Sequence, residues 1–405
     1  MPSLFARHPG FGRLWAAGAV SLCGDWLSFV AVSVLALTTG GGAYALALVF
    51  AAHAVPGAVL APVAGALVDR LDRRKVLIGV DALATIVTAG MAIAAAARWF
   101  VVVQLLLLVR SAITSAVPPA ESAAVRRLVG PDDLVAANAI LAATWSVAYI
   151  AGMALGGAAA LLGPTLALAL DAGSFAVATL IHATLPPLPV DREPSRLIDV
   201  VRATPRDTMI ALRVAAANRP LLVAVLAKTP LALAAGAAWI ALNLIGVEAR
   251  PFGAAALSFG ILQALRGAGT GIGPIAATVL ARRGMGAATL QNAARALMLG
   301  AVLWLAVARD PWTLTAVTLI WGIGIGTNWV MAHTELQRHA TDLVIGRLAA
   351  FDELLATLGM TIGAFVGAAA ASASGAGAAA LSGVVLGLLG LGLAAAVVTR
   401  ASPHP

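Results

Sequence analysis

The sequence predicts an all-α membrane protein, with twelve transmembrane helices arranged as two pseudo-symmetric six-helix bundles. Three observations carry that expectation. Hydrophobic residues make up 61% of the 405 positions and charged residues only 11%, against roughly 25% charged in a soluble globule. Charge is also concentrated: Asp69-Arg70-Leu71-Asp72-Arg73-Arg74-Lys75 places six charges in seven residues. Residues 43–68 upstream carry no charge and residues 76–97 downstream carry only Asp81. Such a cluster cannot sit in hydrocarbon, so the chain surfaces there and turns back. The third observation is the distribution of basic residues between the two sides of the spans.

A span needs about 20 apolar residues. The first half is expected to cross near 12–37, 42–67, 76–97, 99–118, 135–161 and 165–186. The second half is expected to cross near 221–246, 253–280, 287–307, 313–334, 349–372 and 376–398. With both termini on one side, that side collects nineteen basic residues, including Arg7, Arg13, Arg126, Arg127, Arg282, Arg283 and Arg400. The opposite side holds three: Arg98, Arg250 and Arg309. The positive-inside rule then puts both termini in the cytoplasm, which in a bacterium means the plasma (inner) membrane. The basic N-terminus leads into an apolar segment too long for a signal core, so the first helix is expected to stay as an uncleaved anchor.

The expected domains are an N-terminal bundle (1–186), a cytoplasmic linker (187–220) and a C-terminal bundle (221–405). Within the linker, 195–217 reads either as an amphipathic helix on the lipid surface or as a solvated, positively charged tether. Two internal matches support duplicated halves. Pro62-Val-Ala-Gly-Ala-Leu-Val-Asp-Arg70 parallels Pro274-Ile-Ala-Ala-Thr-Val-Leu-Ala-Arg282, and Gly152-Met153-x-x-Gly156 parallels Gly359-Met360-x-x-Gly363. Duplicated halves are characteristic of secondary transporters.

Several classes are disfavoured. The net charge of +8 is scattered between apolar spans, without the aromatic-interleaved patch of a nucleic-acid binder. Cys23 is the single cysteine, which excludes a disulfide framework and a thiolate metal site. His333 and His339 are too isolated for a metal. No phosphate-binding loop and no nucleophile–base constellation is visible, so neither an enzyme nor a bound cofactor is expected.

Asp25 lies midway along the first span. An aspartate at the bilayer centre costs about 2.5–3.5 kcal/mol on insertion scales, so it is expected to face the bundle interior and have a partner. It reads as a proton-carrying group, or else as a structural carboxylate held by an ion pair or by Ser21. Arg110 in span 4 is the natural partner; the alternative is an arginine snorkelling to the cytoplasmic face. In the second half, Lys228, Asn243, Gln263, Arg266 and Asn328 are polar groups in apolar helices. They are expected to line a substrate cavity, with Trp26, Trp239 and Trp329 as stacking surfaces, or to be satisfied by helix packing. Asp171 is assigned to the start of span 6, near the outer surface.

Gly65-x-x-x-Asp69-Arg70-x-x-Arg73-Arg74 resembles the signature loop of the major facilitator superfamily. Phe11-Gly-Arg-Leu-Trp15, Ser21-Leu-Cys-Gly-Asp25-Trp26, Pro118-Pro-Ala-Glu-Ser122, Asp171-Ala-Gly-Ser-Phe175 and Leu336-Gln337-Arg338 narrow the likeness to its drug and siderophore exporter branch. The resemblance implies proton-coupled export of a small amphipathic molecule by a functional monomer among membrane lipids. It implies a gate at Gly65, Asp69, Arg70, Arg73 and Arg74. There Asp69 would cap the span-11 helix near 346–351, and the arginines would pair with Asp132, Asp133 or Asp352. It makes Arg110 the buried arginine of the fourth helix, and Gly152, Gly156 and Gly157, with Gly359 and Gly363, close-packing glycines. Three positions depart from the family pattern: Asp72 replaces a glycine, Glu121 a basic residue and Met153 a proline. Import or lipid movement by the same fold, or a transporter-like sensor that moves nothing, are the alternative functions.

Overall fold

A computed structural model describes residues 4–39, 41–190, 197–341 and 344–401, and the regular structure among them is helical. The first half contains α1 (Leu4–Arg7), α2 (Pro9–Thr38), α3 (Gly42–Val68), α4 (Arg73–Ala96), α5 (Phe100–Thr114), α6 (Val117–Leu161) and α7 (Pro164–Ala183). α8 (Leu197–Ala217) follows, then α9 (Arg219–Leu226), α10 (Thr229–Ala249), α11 (Ala255–Arg282) and α12 (Ala287–Leu305). α13 (Pro311–His339), α14 (Ile345–Ser374) and α15 (Ala376–Ala401) complete the chain. Nine stretches of described residues qualify as spans by length and apolarity alone, and one of them, Phe100–Leu161, is long enough for two. α11 and α12 bring the total to the twelve expected; Arg266 and Arg295 dilute their apolar character.

Two boundaries differ from the expectation. The segment expected to be a loop after span 4 is helical, as the first part of α6. The backbone breaks within it at Gly130, whose φ of 71° and ψ of 177° suit glycine, and Pro131 follows. Span 7 is also divided, into α9 and α10. Pro230 sits in the first turn of α10, where its missing N–H breaks no helical bond, but it cannot extend the ladder back into α9.

The chain forms two compact units, Met1–Thr39 with Ala52–Arg202, and Gly40–Ala51 with Ala203–Pro405. In the first, α2 packs on α6 and α7, and α4 packs on α7. In the second, α10 packs on α14 and α15, and α11 on α13. The repeated glycines face the corresponding helices, α2 in one unit and α10 in the other, most tightly at Gly152, Gly156 and Gly363. A Cβ on Gly152 or Gly156 would lie 2.6 Å from the carbonyl oxygen of Cys23 or Leu27 on α2. In the other unit, a Cβ on Gly363 would strike the Leu233 carbonyl of α10, and Gly359 lies against Thr229 and Ala232. Small residues let membrane helices approach backbone to backbone, where dispersion and packing replace the hydrophobic drive. Outward-facing Ile86, Ile93, Val101 and Leu180 are exposed, as a lipid-facing surface requires.

α8 is helical, as one of the two readings of 195–217 expects, and one face of it packs on protein. Its Ala211 and Ala215 are buried against Leu221, Val225, Leu336 and Leu348, and Asp207 pairs with Arg347 at 2.8 Å. It is docked on protein within the second unit. Arg192, Ser195 and Arg196 of the linker lie outside the described residues.

Candidate functional site

Three helices of the first unit bring charged groups to one buried point. Asp25 sits in the middle of α2, Arg110 in α5 and Asp171 two turns into α7. Arg110 Nη2 lies 2.5 Å from Asp25 Oδ1, and Nη1 lies 2.6 Å from Asp171 Oδ2. Nη1 also donates to Ser28 Oγ at 3.0 Å, and Ser174 Oγ donates to Asp171 Oδ1 at 3.3 Å. Gly24 makes room: a Cβ there would lie 2.7 Å from Asp171 Oδ1 and would strike Ser174. Arg110 and Asp171 are fully buried, whereas the Asp25 side chain keeps 25% of its surface exposed.

This geometry pairs Arg110 with Asp25 as expected, corrects one expectation and removes two alternatives. Asp171 is a buried member of the cluster and not a helix-start residue at the surface. Arg110 does not snorkel. Ser21 does not hold Asp25; its hydroxyl donates to the Gly18 carbonyl. Two carboxylates share one guanidinium, which cannot give up its proton. The cluster is therefore electrically neutral only when it holds an added proton or another cation.

Beside Asp25 stands an aromatic group. Trp26 packs on Tyr149 (ring centroids 4.7 Å apart), His53 (5.2 Å) and Trp145 (6.0 Å). Phe29 also contacts His53, at 4.8 Å. Trp26 Nε1 is buried without a hydrogen-bond partner among the described residues. Such a surface can stack on a planar or apolar ligand while the neighbouring carboxylate attracts its charge.

The second unit uses its polar groups internally. Lys228, at the break before α10, lies 2.6 Å from Asp352 and 3.4 Å from Glu353, and 4.9 Å from the Trp329 ring centre. Gln263 donates to Asn243 at 2.7 Å and accepts from Arg266 at 2.9 Å, while Arg266 also lies over Trp321. Trp239 is buried between Phe50 and Phe259. Asn328 differs: its amide is fully buried and neither polar atom has a partner among the described residues.

The basic loop after α3 is tied to the end of α7. Asp72 caps α4 through Arg74 N (2.9 Å) and accepts from Leu188 N at 3.2 Å. Arg73 donates to the Pro189 carbonyl at 2.8 Å and Arg74 to that of Ala183. Arg73 and Arg74 thus bond to backbone carbonyls, while of the acids expected to meet the loop Asp133 pairs with Arg7 (2.8 Å) and His8 (2.7 Å), and Asp352 with Lys228. The His8 hydrogen bond, reinforced by Arg7, holds the Asp133 carboxyl below its usual range. Helix caps and C-terminal arginines of this kind also compensate unpaired backbone groups and the helix dipole.

A profile described as Major Facilitator Superfamily matches residues 14–351. The chain belongs to that superfamily. Superfamily members are transporters and not enzymes. Macrolide efflux protein A of Streptococcus pyogenes is 31% identical over 149 residues, 36% of either chain. An uncharacterized MFS-type transporter, YfiS of Bacillus subtilis, is 29% identical over 155 residues, 38% of this chain and 36% of that one. The match thus spans about a third of the length of these relatives. Among solved structures, the nucleoside transporter NupG superposes with a TM-score of 0.71 at 14% identity, covering 98% of this chain and 100% of that one. A bacterial homologue of the human lysosomal transporter Spinster gives 0.70 at 14% identity, covering 97% and 98%. These likenesses support the twelve-helix fold.

Sequence reasoning missed three things. Asp171 is as isolated in its apolar run as Asp25, and that isolation was the available signal. Asp352 was expected to pair with loop arginines and was not linked to Lys228. Asp81 and His182 form a buried pair that no motif pointed to, with His182 Nδ1 2.7 Å from Asp81 Oδ2.

Proposed function

We propose that this transporter exports a small amphipathic compound, of macrolide or siderophore-like character, in exchange for protons. The observation that carries the proposal is Arg110 held between two carboxylates, one buried and one partly open. Asp25 and Arg110 are the coupling residues, with Asp171 as a third. A proton on Asp25 leaves Arg110 paired with Asp171 alone. Loss of that proton restores a surplus negative charge beside Trp26, Trp145 and Tyr149, where a cationic or polarised amphipath is attracted. Proton and substrate then compete for one carboxylate, and this competition couples their movements. Export is the direction carried by the partial likeness to a macrolide efflux protein.

The site is exposed alternately to each side of the membrane in the manner of such folds. Both termini and the basic loop face the cytoplasm of a bacterial inner membrane. Gly65, Asp69, Arg70, Arg73 and Arg74 serve the inner gate, which must hold in one state and release in the other. Lys228, Trp239, Asn243, Gln263, Arg266 and Trp329 support the second unit's helices, and Asn328, with both amide atoms unpartnered among the described residues, and Asn243, with its Nδ2 unpartnered, have hydrogen-bonding capacity to spare.

Inside-out vesicles test the proposal. Uptake of macrolides and siderophores is measured with and without an imposed proton gradient, for the native protein and Asp25→Asn. The native protein should accumulate a compound only with the gradient, and Asp25→Asn should lose uphill uptake while retaining downhill exchange. Full uphill uptake by Asp25→Asn would remove Asp25 as an essential proton carrier.

A further inference from the structure

The first unit buries a second titratable cluster that the central site does not use. On α4, Asp81 is 2% exposed, and on α7 His182 is 1% exposed; their side chains meet at 2.7 Å through His182 Nδ1. The other ring nitrogen, Nε2, is buried and has no hydrogen-bond partner among the described residues. Glu121 on α6 interacts electrostatically with both residues, and its carboxylate oxygen would be 2.6 Å from a Cβ placed on Gly18 of α2. Arg13 of α2 and Arg74 of α4 donate to the Thr184 and Ala183 carbonyls just beyond His182. The charged neighbours are therefore two acids and two arginines, at the end of α7 whose dipole favours a cation.

This cluster is aligned with the central one. Asp171, Phe175, Ala178 and His182 form one buried stripe of α7, and Asp81, Ala84, Thr88 and Met91 form the buried stripe of α4, which packs on α7. Asp171 and His182 are eleven residues apart, about 16 Å along the helix. Thr88, one of the buried residues between these levels, has a hydroxyl with no partner among the described residues.

We infer that Asp81, His182 and Glu121 form a second proton-binding site, which passes protons between the basic-end solvent and the Asp25–Arg110–Asp171 site along the α4–α7 seam. The inference rests on the proton-coupled function proposed above. One proton moves at each step. Through intervening water, His182 Nε2 accepts it from the basic-end solvent or from a protonated Glu121, the ring becomes imidazolium, and the Nδ1–H bond breaks as that proton passes to Asp81. Protonated Asp81 then delivers it along the seam, past the Thr88 hydroxyl with water filling the intervals, to Asp171. No other reactant is consumed.

The test is a 15N-histidine titration of the full-length protein in nanodiscs, with no transported compound added. His182→Asn, whose amide can replace the Nδ1 donor, assigns the His182 signal among the six histidines. Glu121→Gln, at a half-buried position, perturbs the cluster without emptying its core. The His182 signal should titrate between pH 5.5 and 8.5, and its midpoint should move in Glu121→Gln. A His182 signal constant over that range would overturn the site. In parallel, uptake of erythromycin into inside-out vesicles should fall at least about tenfold in His182→Asn under a gradient, with downhill exchange unchanged. A titrating His182 combined with native uphill uptake in His182→Asn would overturn the relay. Uptake by the native protein that ignores the gradient, with His182 still titrating, would keep the proton site and remove the coupled-export function instead.

Discussion

In the first unit Arg110 lies between Asp25 and Asp171, and in the second Lys228 lies between Asp352 and Glu353. Each cluster has one cation and two acids, and each is set against a helix seated on glycines, α2 on Gly152 and Gly156 and α10 on Gly359 and Gly363. They differ in where the surplus acid is placed. Glu353 is 55% exposed, so water solvates the extra charge of the second cluster. Asp171 is fully buried and Asp25 three-quarters buried, so the first cluster keeps its surplus inside the protein. The duplicated scaffold is shared, and what separates the halves is that the first keeps its surplus acid inside the protein while the second exposes it.

The largest effects should come from removing the cations. Arg110→Met leaves two carboxylates against one another, and Lys228→Met leaves buried Asp352 unpaired. Breaking a buried pair costs on the order of 3–5 kcal/mol. Both variants should show lower thermal stability and yield in detergent. Only Arg110→Met should also change the pH dependence of transport, because only its acids have the coupling role proposed above. Equal changes in the pH profile of both variants would erase the distinction between the units.

Glycine substitutions probe what the units share. Gly156→Val and Gly363→Val each push a side chain into a carbonyl of the facing helix. Overpacking of this kind costs about 1–3 kcal/mol. Similar drops in melting temperature are expected for the two, and a drop confined to one would mean that the seams are not equivalent.

The spans and the central acid were legible because charge inside an apolar run is costly and therefore conspicuous. Asp25 and Arg110 both stood out in this way. Asp171 did as well, but its depth was judged from an uncertain boundary, and seven residues after Pro164 is already two turns into the helix. Its partner comes from 61 residues earlier in the chain, and such pairing is a tertiary fact. The same holds for Lys228 with Asp352 and Asp81 with His182. The carbonyl bonds of Arg73 and Arg74 were not legible, because only carboxylates had been weighed as partners and not the backbone at and beyond the end of α7. The break at Gly130-Pro131 carried its own signal in that dipeptide. The docking of α8 did not, since alanines face protein and lipid equally well.

The smallest expected effect marks the solvated end of the comparison. Glu353→Gln removes the exposed acid of the Lys228 cluster, and surface pairs are worth about 0–1 kcal/mol. Its melting temperature and transport should stay close to native. Loss of transport in Glu353→Gln would mean that the second unit's surplus acid also takes part in turnover.

Proton release on substrate binding tests the central claim most directly. Purified protein in weakly buffered detergent solution is mixed with a compound that the vesicle screen shows to be transported, and the pH change is followed. The native protein should release protons as the compound displaces them from the Asp25–Arg110–Asp171 cluster. The Asp25→Asn, Asp171→Asn double variant should release none. Native-sized release from the double variant would contradict the account, because the coupling proton would then come from outside that cluster.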